Sequence, residues 1–175
     1  PARWLAQDDN KGYPGPTGGN DRILGNVQSG AKAGGRDNAN MFTRPDGTAS
    51  WSNMYLWQPL AGAFYSPCVD GDFDMGIIGH EYGHMIENRM IGKGARRSGF
   101  NAGAMGESFG DLNGMEYLNE HGFVPVGGES PYAVGVYATG DGDQAIRNYN
   151  MSWPAAGRSA QESQLPQASP AGVGS

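Results

Sequence analysis

The sequence predicts an α+β fold in which a small β-sheet precedes two long helices. Short apolar segments separated by Gly- and Pro-rich turns occupy residues 1–70, a pattern that favours strands and loops. Residues 75–121 instead carry functional side chains spaced four apart, which places them on one face of a helix. At 175 residues the chain suits one domain, which we place at residues 1–153. Residues 154–175 contain almost no large apolar side chain and are predicted to be a mobile tail.

The β-rich part contains a weak strand candidate at residues 23–28 and two clearer ones at residues 38–43 and 52–58. Pro45-Asp46-Gly47 lies between the clearer two and is typical of a turn. Two strands joined by such a link predict a hairpin at a sheet edge. Residues 132–137 are a further strand candidate. Loops are predicted at residues 1–22, 31–36, 93–97 and 123–128.

Helices are predicted at about residues 75–90 and 104–120. Asp74 is a good N-cap for the first helix, and Gly92 with Gly94 ends it. Three glycines in its interior each cost roughly 1 kcal/mol relative to Ala. That cost indicates close packing or close backbone approach at these positions: Gly76, Gly79 and Gly83.

The strongest functional motif is His80-Glu81-Tyr82-Gly83-His84. Histidines four apart on a helix have Cβ atoms roughly 5–6 Å apart, so both imidazoles can reach one metal ion. Glu81 would lie beside that ion, where a carboxylate can take a proton from the water that the metal activates. We therefore predict a catalytic zinc site with His80 and His84 as ligands and Glu81 as general base. The alternative is a surface helix with two solvated histidines.

The second helix supplies a matching third ligand, Glu107, because catalytic zinc keeps three protein ligands and one open position. Asp111 shares a helical face with Glu107, and we expect it to accept the second N–H of a ligand histidine, His80. Taken alone, either carboxylate would be interpreted as a solvated helix residue. Three apolar residues on this helix form a stripe that is expected to face the core: Met105, Phe109 and Leu112.

With these residues the sequence resembles the gluzincin zinc metallopeptidases, the thermolysin-like group, and more narrowly the fungalysin family (M36). The likeness covers roughly residues 17–153 and includes four segments besides the zinc motifs. It implies a thermolysin-like N-terminal catalytic lobe with a small β-sheet and two zinc-bearing helices, without the family's second lobe. The four segments are residues 37–42 (DNANMF), 54–57 (MYLW), 70–78 (DGDFDMGII) and 145–149 (AIRNY).

The resemblance also implies how the protein acts. Substrate would add as a strand to the edge strand, where the matching residues are Asn38, Ala39 and Asn40. An ordinary outer strand is the alternative. The family further implies zinc-dependent hydrolysis of polypeptides, secretion to the extracellular space, and inhibition by the enzyme's own propeptide, which this chain does not contain.

Composition excludes several partner classes. A net charge of −6 argues against nucleic acid and anionic membranes as main partners. No apolar run approaches the roughly 20 residues that a membrane helix needs. Cys68 is the only cysteine, so an internal disulfide is impossible. An acidic chain with one cysteine fits a secreted enzyme.

Three alternatives remain open. The alternating carboxylates of Asp70, Asp72 and Asp74 suit Ca²⁺, but the rest of an EF-hand loop is missing, so helix capping is favoured and calcium is the minor possibility. A non-catalytic zinc-stabilised domain would need a fourth protein ligand, for which His121 and Cys68 are the candidates, and an inactive fragment of a peptidase is a related alternative. A zinc aminopeptidase would need an acidic anchor for the substrate amine, and the sequence shows no signature of one.

Overall fold

The computed structural model describes residues 23–45, 48–58, 69–92, 98–123, 132–141, 145–147 and 151. These ranges contain five strands: β1 (Ile23–Asn26), β2 (Ala39–Phe42), β3 (Ser50–Met54), β4 (Leu56–Trp57) and β5 (Val69–Asp70). They also contain three α-helices, α1 (Met75–Gly92), α2 (Phe100–Glu120) and α3 (Val136–Thr139), and 3-10 turns at Ala31–Ala33 and Gly71–Phe73. Small sheets followed by helices make this an α+β fold, as predicted.

Several sequence predictions concern residues outside the described ranges. They are the loop at residues 1–22, the thiol of Cys68, the loop at residues 93–97 and the tail at residues 154–175. Most of the loop predicted at residues 123–128 also lies outside them. Within the described residues, no helix combines the length and the apolar character that crossing a bilayer requires.

The predicted hairpin is present at the edge of a sheet. The strand order in this sheet is β1-β3-β2, with β1 parallel and β2 antiparallel to β3. Thr48 donates its backbone N–H to the carbonyl of Pro45 at 3.0 Å, which joins the two described ends of the connection between the hairpin strands. The rings of Phe42 and Trp51 stack across the pair with centroids 5.4 Å apart. Strand β2 is therefore an outer strand of the described sheet.

The single strand predicted at residues 52–58 is wrong, because the chain leaves the first sheet at Tyr55. Strand β3 ends at Met54, and β4 pairs with β5 in a separate two-stranded sheet. The Tyr55 carbonyl accepts the backbone N–H of Gly71 at 3.1 Å, so it bonds to the 3-10 turn. This transfer carries Trp57 into the core together with Met54, Val69, Ile77 and Ala138.

The strand predicted at residues 132–137 is also wrong, because this segment turns and enters the short helix α3. Gly135 has a φ of +80°, a left-handed conformation that reverses the chain just before the helix. The N–H of Ala138 donates to Asp74 Oδ2 at 2.9 Å. Burial of Val134 and Val136 on both sides of the turn holds the segment against the start of α1.

Helix α1 begins as predicted, with Asp74 as its N-cap. Asp74 Oδ1 accepts the N–H groups of Gly76 at 3.0 Å and Ile77 at 3.2 Å, which satisfies two of the helix's free donors. Asp70 caps the preceding 3-10 turn by accepting the N–H of Asp72 at 3.2 Å. The capping interpretation of the acidic segment is thus confirmed for Asp74.

Helices α1 and α2 pack through glycines. A Cβ placed on Gly79 would lie 2.7 Å from Cα of Gly114, and one on Gly83 would lie 2.8 Å from Cα of Gly110. The close packing expected from the glycines of α1 is confirmed. Helix α2 begins at Phe100 rather than at residue 104.

The apolar stripe of α2 does not face the core, so that prediction was wrong. The exposed fractions are 61% for Met105, 37% for Phe109 and 51% for Leu112. The helix instead turns its small residues towards α1, because only glycines permit the observed approach.

Candidate metal centre

The three predicted zinc ligands converge at the interface between α1 and α2. His80 and His84 lie one turn apart on α1, with ring centroids 4.5 Å apart. Glu107 of α2 places Oε2 3.2 Å from His80 Nε2 and Oε1 3.4 Å from His84 Nε2. All three candidate ligand atoms lie within 4.8 Å of one another. The structure thus brings these residues together, and their role as ligands stays a prediction.

The spacing of these atoms is close to that of a zinc site. Zn–N and Zn–O bonds of about 2.0–2.2 Å put neighbouring ligand atoms roughly 3–3.5 Å apart, and each histidine Nε2 lies at such a distance from one of the two Glu107 oxygens. Two imidazoles and one carboxylate are also a ligand set that catalytic zinc uses, with one position left open. Among the described residues, this is the one group of three or more His, Cys, Asp or Glu side chains close enough to hold a metal.

The other candidate ligands lie elsewhere or outside the described residues. His121 stacks on Tyr117 with ring centroids 4.1 Å apart, and its Nδ1 donates to the Tyr117 carbonyl at 2.9 Å. Asp70, Asp72 and Asp74 do not form a three-residue group in the described structure, so nothing there supports calcium. Cys68 is outside the described ranges.

Asp111 makes the contact that the sequence predicted. His80 Nδ1 lies 2.6 Å from Asp111 Oδ1, and both side chains are buried. Because Nδ1 donates to this carboxylate, Nε2 is the ring nitrogen that faces Glu107. The bond fixes both the tautomer and the orientation of the ring.

Arg147 is a site residue that sequence reasoning missed. Its Nε donates to Asp111 Oδ2 at 2.7 Å, and one terminal nitrogen donates to Asp111 Oδ1 at 2.7 Å and to Glu107 Oε2 at 3.3 Å. A planar guanidinium suits this two-pronged contact with a carboxylate. The signal available in the sequence was the position of Arg147 inside the family-like segment 145–149.

These contacts shift the pKa values of the cluster. Burial would lower the pKa of His80, but its hydrogen bonds with Asp111 and Glu107 outweigh burial and raise it from 6.5 to about 9. Burial would raise the pKa of Glu107, but hydrogen bonds to His80 and His84 hold it well below its usual value. The pKa of Asp111 is likewise lowered, against the effect of burial, by His80 and Arg147. Without metal, both ring nitrogens of His80 are therefore protonated at neutral pH, and the ring is positively charged.

Glu81 is buried beside this cluster, with an exposed fraction of 4%. Its Oε2 has no hydrogen-bond partner among the described residues. Burial raises the pKa of this carboxyl, although the neighbouring His80 and His84 oppose the shift. An unpaired buried carboxylate oxygen costs on the order of 1–3 kcal/mol or more, so its presence calls for a functional explanation.

The edge strand lines the same cavity, of about 260 Å³, as His80, Glu81 and Glu107. Asn38, Ala39 and Asn40 all contribute to its wall. The Asn40 side chain donates to the Tyr55 hydroxyl at 3.3 Å and accepts from Asn53 Nδ2 at 2.7 Å, so it ties the strand to its sheet.

Backbone bonds show which peptide groups of β2 face the open edge. The Asn38 carbonyl accepts the Tyr55 N–H at 3.3 Å, so Asn38 bonds towards β3. Inward and outward groups alternate along an antiparallel strand, so Ala39 and Met41 turn their peptide groups outward. The N–H of Ala39 donates to Asn38 Oδ1 at 2.9 Å.

An α+β chain in which two helices bring a His-His-Glu set beside a buried glutamate has the features of a metallopeptidase domain. The family model described as fungalysin metallopeptidase (M36) matches residues 6–169. The chain belongs to this family.

Several fungal proteins are similar to this chain. It is 41% identical over 109 residues to extracellular metalloproteinase mep of Aspergillus flavus, which is 61% of this chain and 16% of that protein. It is 40% identical over 137 residues to extracellular metalloproteinase 2 of Arthroderma gypseum, which is 77% of this chain and 20% of that protein. The chain therefore spans a fifth or less of the length of these curated relatives.

Proposed function

We propose that this chain carries the zinc centre and the general base of a secreted metalloendopeptidase. His80, His84 and Glu107 would hold the zinc ion. The observation that carries the proposal is the approach of their ligand atoms to within 4.8 Å beside Glu81, whose buried Oε2 has no partner among the described residues. When bound, zinc acts as a Lewis acid and lowers the pKa of water to about 7.

The residues around the metal have distinct tasks in peptide hydrolysis. Glu81 accepts a proton from water as the water oxygen attacks the scissile carbonyl carbon. It then delivers that proton to the leaving amine nitrogen as the C–N bond breaks. Burial of the Glu81 carboxyl raises its pKa, which strengthens it as a base. Asp111 and Arg147 keep His80 and Glu107 in place while this happens.

The edge strand β2 is proposed to bind the substrate backbone. An extended peptide added along this strand would pair with the outward peptide groups of Ala39 and Met41. Both residues line the cavity that contains His80 and Glu81. This arrangement would lay the scissile bond beside the general base.

A larger protein is proposed to complete the enzyme. Because the chain spans a fifth or less of the relatives' length, a second lobe would form the far wall of a thermolysin-like cleft. The relatives are named extracellular metalloproteinases, which favours secretion, and their family favours inhibition by a propeptide. The 175-residue chain alone should bind about one zinc ion but cleave casein poorly, because an open site leaves water in competition with substrate.

Replacing Glu81 by Gln tests the base. Zinc content should be unchanged, because Glu81 is not a ligand. Peptide hydrolysis by the longer protein should fall by about 10²–10⁴. Glu116→Gln, an exposed carboxyl on the same pair of helices, is the control and should leave both quantities unchanged.

Near-normal hydrolysis in the Glu81→Gln protein would overturn the role of Glu81. Loss of zinc in that variant, with no hydrolysis in the unaltered longer protein, would instead favour the alternative of a non-catalytic zinc-stabilised domain or an inactive fragment of a peptidase.

A further inference from the structure

We propose that Arg89 is a positioning residue that locks the edge strand β2 to helix α1 and so sets the register between bound peptide and metal centre. The inference rests on the proposed function. Arg89 has an exposed fraction of only 7%, and it does not line the cavity that contains His80 and Glu81. Burying a guanidinium is costly, so a structure that keeps one must recover the cost through specific contacts.

Arg89 makes three hydrogen bonds to the connection between β2 and β3. Its Nε donates to the Arg44 carbonyl at 3.3 Å. One terminal nitrogen donates to the Thr48 carbonyl at 3.0 Å and to Ser50 Oγ at 3.3 Å. Ser50 is fully buried, and its Oγ also accepts the N–H of Arg44 at 3.0 Å. One side chain from α1 thereby holds both ends of the hairpin connection.

The neighbouring residue of α1 adds a second tie to the same hairpin. Asn88 Nδ2 donates to Thr43 Oγ1 at 3.3 Å, and Thr43 follows directly after β2. Asn88 also lines the cavity, so the tie lies between the strand and the metal-binding face of α1. The two side chains fix the C-terminal end of β2 against the helix that carries His80 and His84.

Rigid attachment matters because strand addition offers few contacts to a substrate. Only alternate residues of β2 turn peptide groups to the open edge, so a displacement of the strand shifts every backbone contact with the peptide. The proposed metal ligands sit on α1 and α2, and the contacts described above are with one another, Asp111 and Arg147 rather than with β2. Arg89 should therefore govern the binding of extended peptides and leave the metal centre unaffected. A lysine cannot replace it fully, because a single ammonium lacks the planar fork that reaches several acceptors.

The test compares two probes on the zinc-loaded chain. Acetohydroxamate binds zinc without reaching β2, whereas a tripeptide hydroxamate also extends along the strand. In Arg89→Ala the affinity for the tripeptide hydroxamate should fall about tenfold or more, equivalent to one or two net hydrogen bonds. Affinity for acetohydroxamate and for zinc should stay within about twofold of the unaltered chain. Arg89→Lys should show a smaller loss of the same selectivity.

Arg36→Ala is the matched control. Arg36 is half-buried and also donates to backbone carbonyls, those of Ala31 at 3.2 Å and Gly35 at 2.7 Å, away from the hairpin connection. It should leave the ratio of the two probe affinities unchanged. If Arg89→Ala does not fold, Arg89→Lys and Ser50→Ala carry the test, because both keep the core nearly filled.

The outcomes separate the two proposals. Equal losses for both probes would make Arg89 a merely structural residue and overturn its positioning role, as would no loss for either probe. Failure of the unaltered zinc-loaded chain to bind acetohydroxamate would overturn the proposed function and the role of Arg89 with it. Selective loss of the tripeptide hydroxamate supports the positioning role.

Discussion

The two faces of helix α2 differ in composition, and the difference is the reverse of the usual one. The inner face has glycines against α1 and carries half-buried Glu107 and buried Asp111 into a network of charged groups. The outer face carries large apolar side chains such as Met105 and Leu112, more than half of whose surface is exposed. Ordinary packing would place the large apolar residues inside and the charges outside.

We infer from this reversal that the proposed metal centre sets how the two helices pack. Glu107 can approach both histidines only if the helix backbones lie unusually close, and glycines are what allow that approach. The face that is free for apolar residues is then the outer one. Substitutions on the two faces should accordingly differ in kind: inner changes alter metal binding, and outer changes alter association.

Gly110→Ala should cause the largest loss of zinc affinity. A Cβ at Gly110 would lie 2.8 Å from His80 Nδ1 and 2.9 Å from the His80 carbonyl, so the ring would lose its contact with Asp111. We expect zinc affinity to fall by at least about 100-fold, the upper range for losing a residue that orients a ligand. Competition with a chelator measures this.

Gly103→Ala is the control on the same helix. No atom lies within 4 Å of a Cβ at Gly103, so zinc affinity should not change. The free energy of unfolding should rise by up to about 1 kcal/mol, because Ala favours helix more than Gly does. Similar zinc affinity in the two variants would contradict the view that space at Gly110 is needed by the metal centre.

Asp111→Asn should cause an intermediate loss of zinc affinity, because it keeps the shape of the side chain but removes its charge. Zinc should bind roughly 10–100-fold more weakly, since His80 loses the carboxylate that fixes its tautomer. Arg147 would also lose an ionic partner. An unchanged affinity would reduce Asp111 to an ordinary buried carboxylate.

The same variant should change how zinc affinity depends on pH. Without metal, the pKa of His80 is about 9, so zinc must displace a proton at any lower pH. Affinity should therefore rise about tenfold per pH unit up to pH 9 and then level off. Asp111→Asn lowers the pKa of His80, so its affinity should level off at a lower pH. Chelator competition from pH 6 to pH 10 measures zinc affinity against pH in both proteins. If the two affinity curves level off at the same pH, this reasoning is wrong.

Leu112→Gln should have the smallest effect on folding. Leu112 is 51% exposed, so the free energy of unfolding should change by no more than about 0.5 kcal/mol. Met115→Ala, at a residue only 7% exposed on the same helix, should cost about 2–5 kcal/mol. Leu112→Gln should nevertheless reduce self-association in sedimentation, because it interrupts an exposed apolar face. A large loss of stability in Leu112→Gln would show that this face is not free.

The sequence predicted the features that depend on short-range spacing. Histidines four apart identified α1, and two carboxylates four apart identified the polar face of α2. The Pro-Asp-Gly turn identified the hairpin. Each of these patterns is contained in fewer than ten neighbouring residues, so no tertiary information was needed.

The errors occurred where distant residues decide the local structure. Helix α3 is bonded through Ala138 to Asp74, 64 residues earlier, and nothing near Ala138 signals this. Arg147 acts on Asp111 across 36 residues. The stripe of Met105, Phe109 and Leu112 has the helical spacing of a core face, but spacing alone cannot tell which side the partner helix takes.

The two oxygens of Asp74 have a consequence for how the folded chain opens locally. Oδ1 completes the first turn of α1, and Oδ2 holds the N–H of Ala138. The same carboxylate therefore serves a local contact and a distant one, and its orientation is fixed only when both are made. The start of α1 and the segment around α3 should then open and close together as one cooperative unit, with similar protection of their amides from hydrogen exchange.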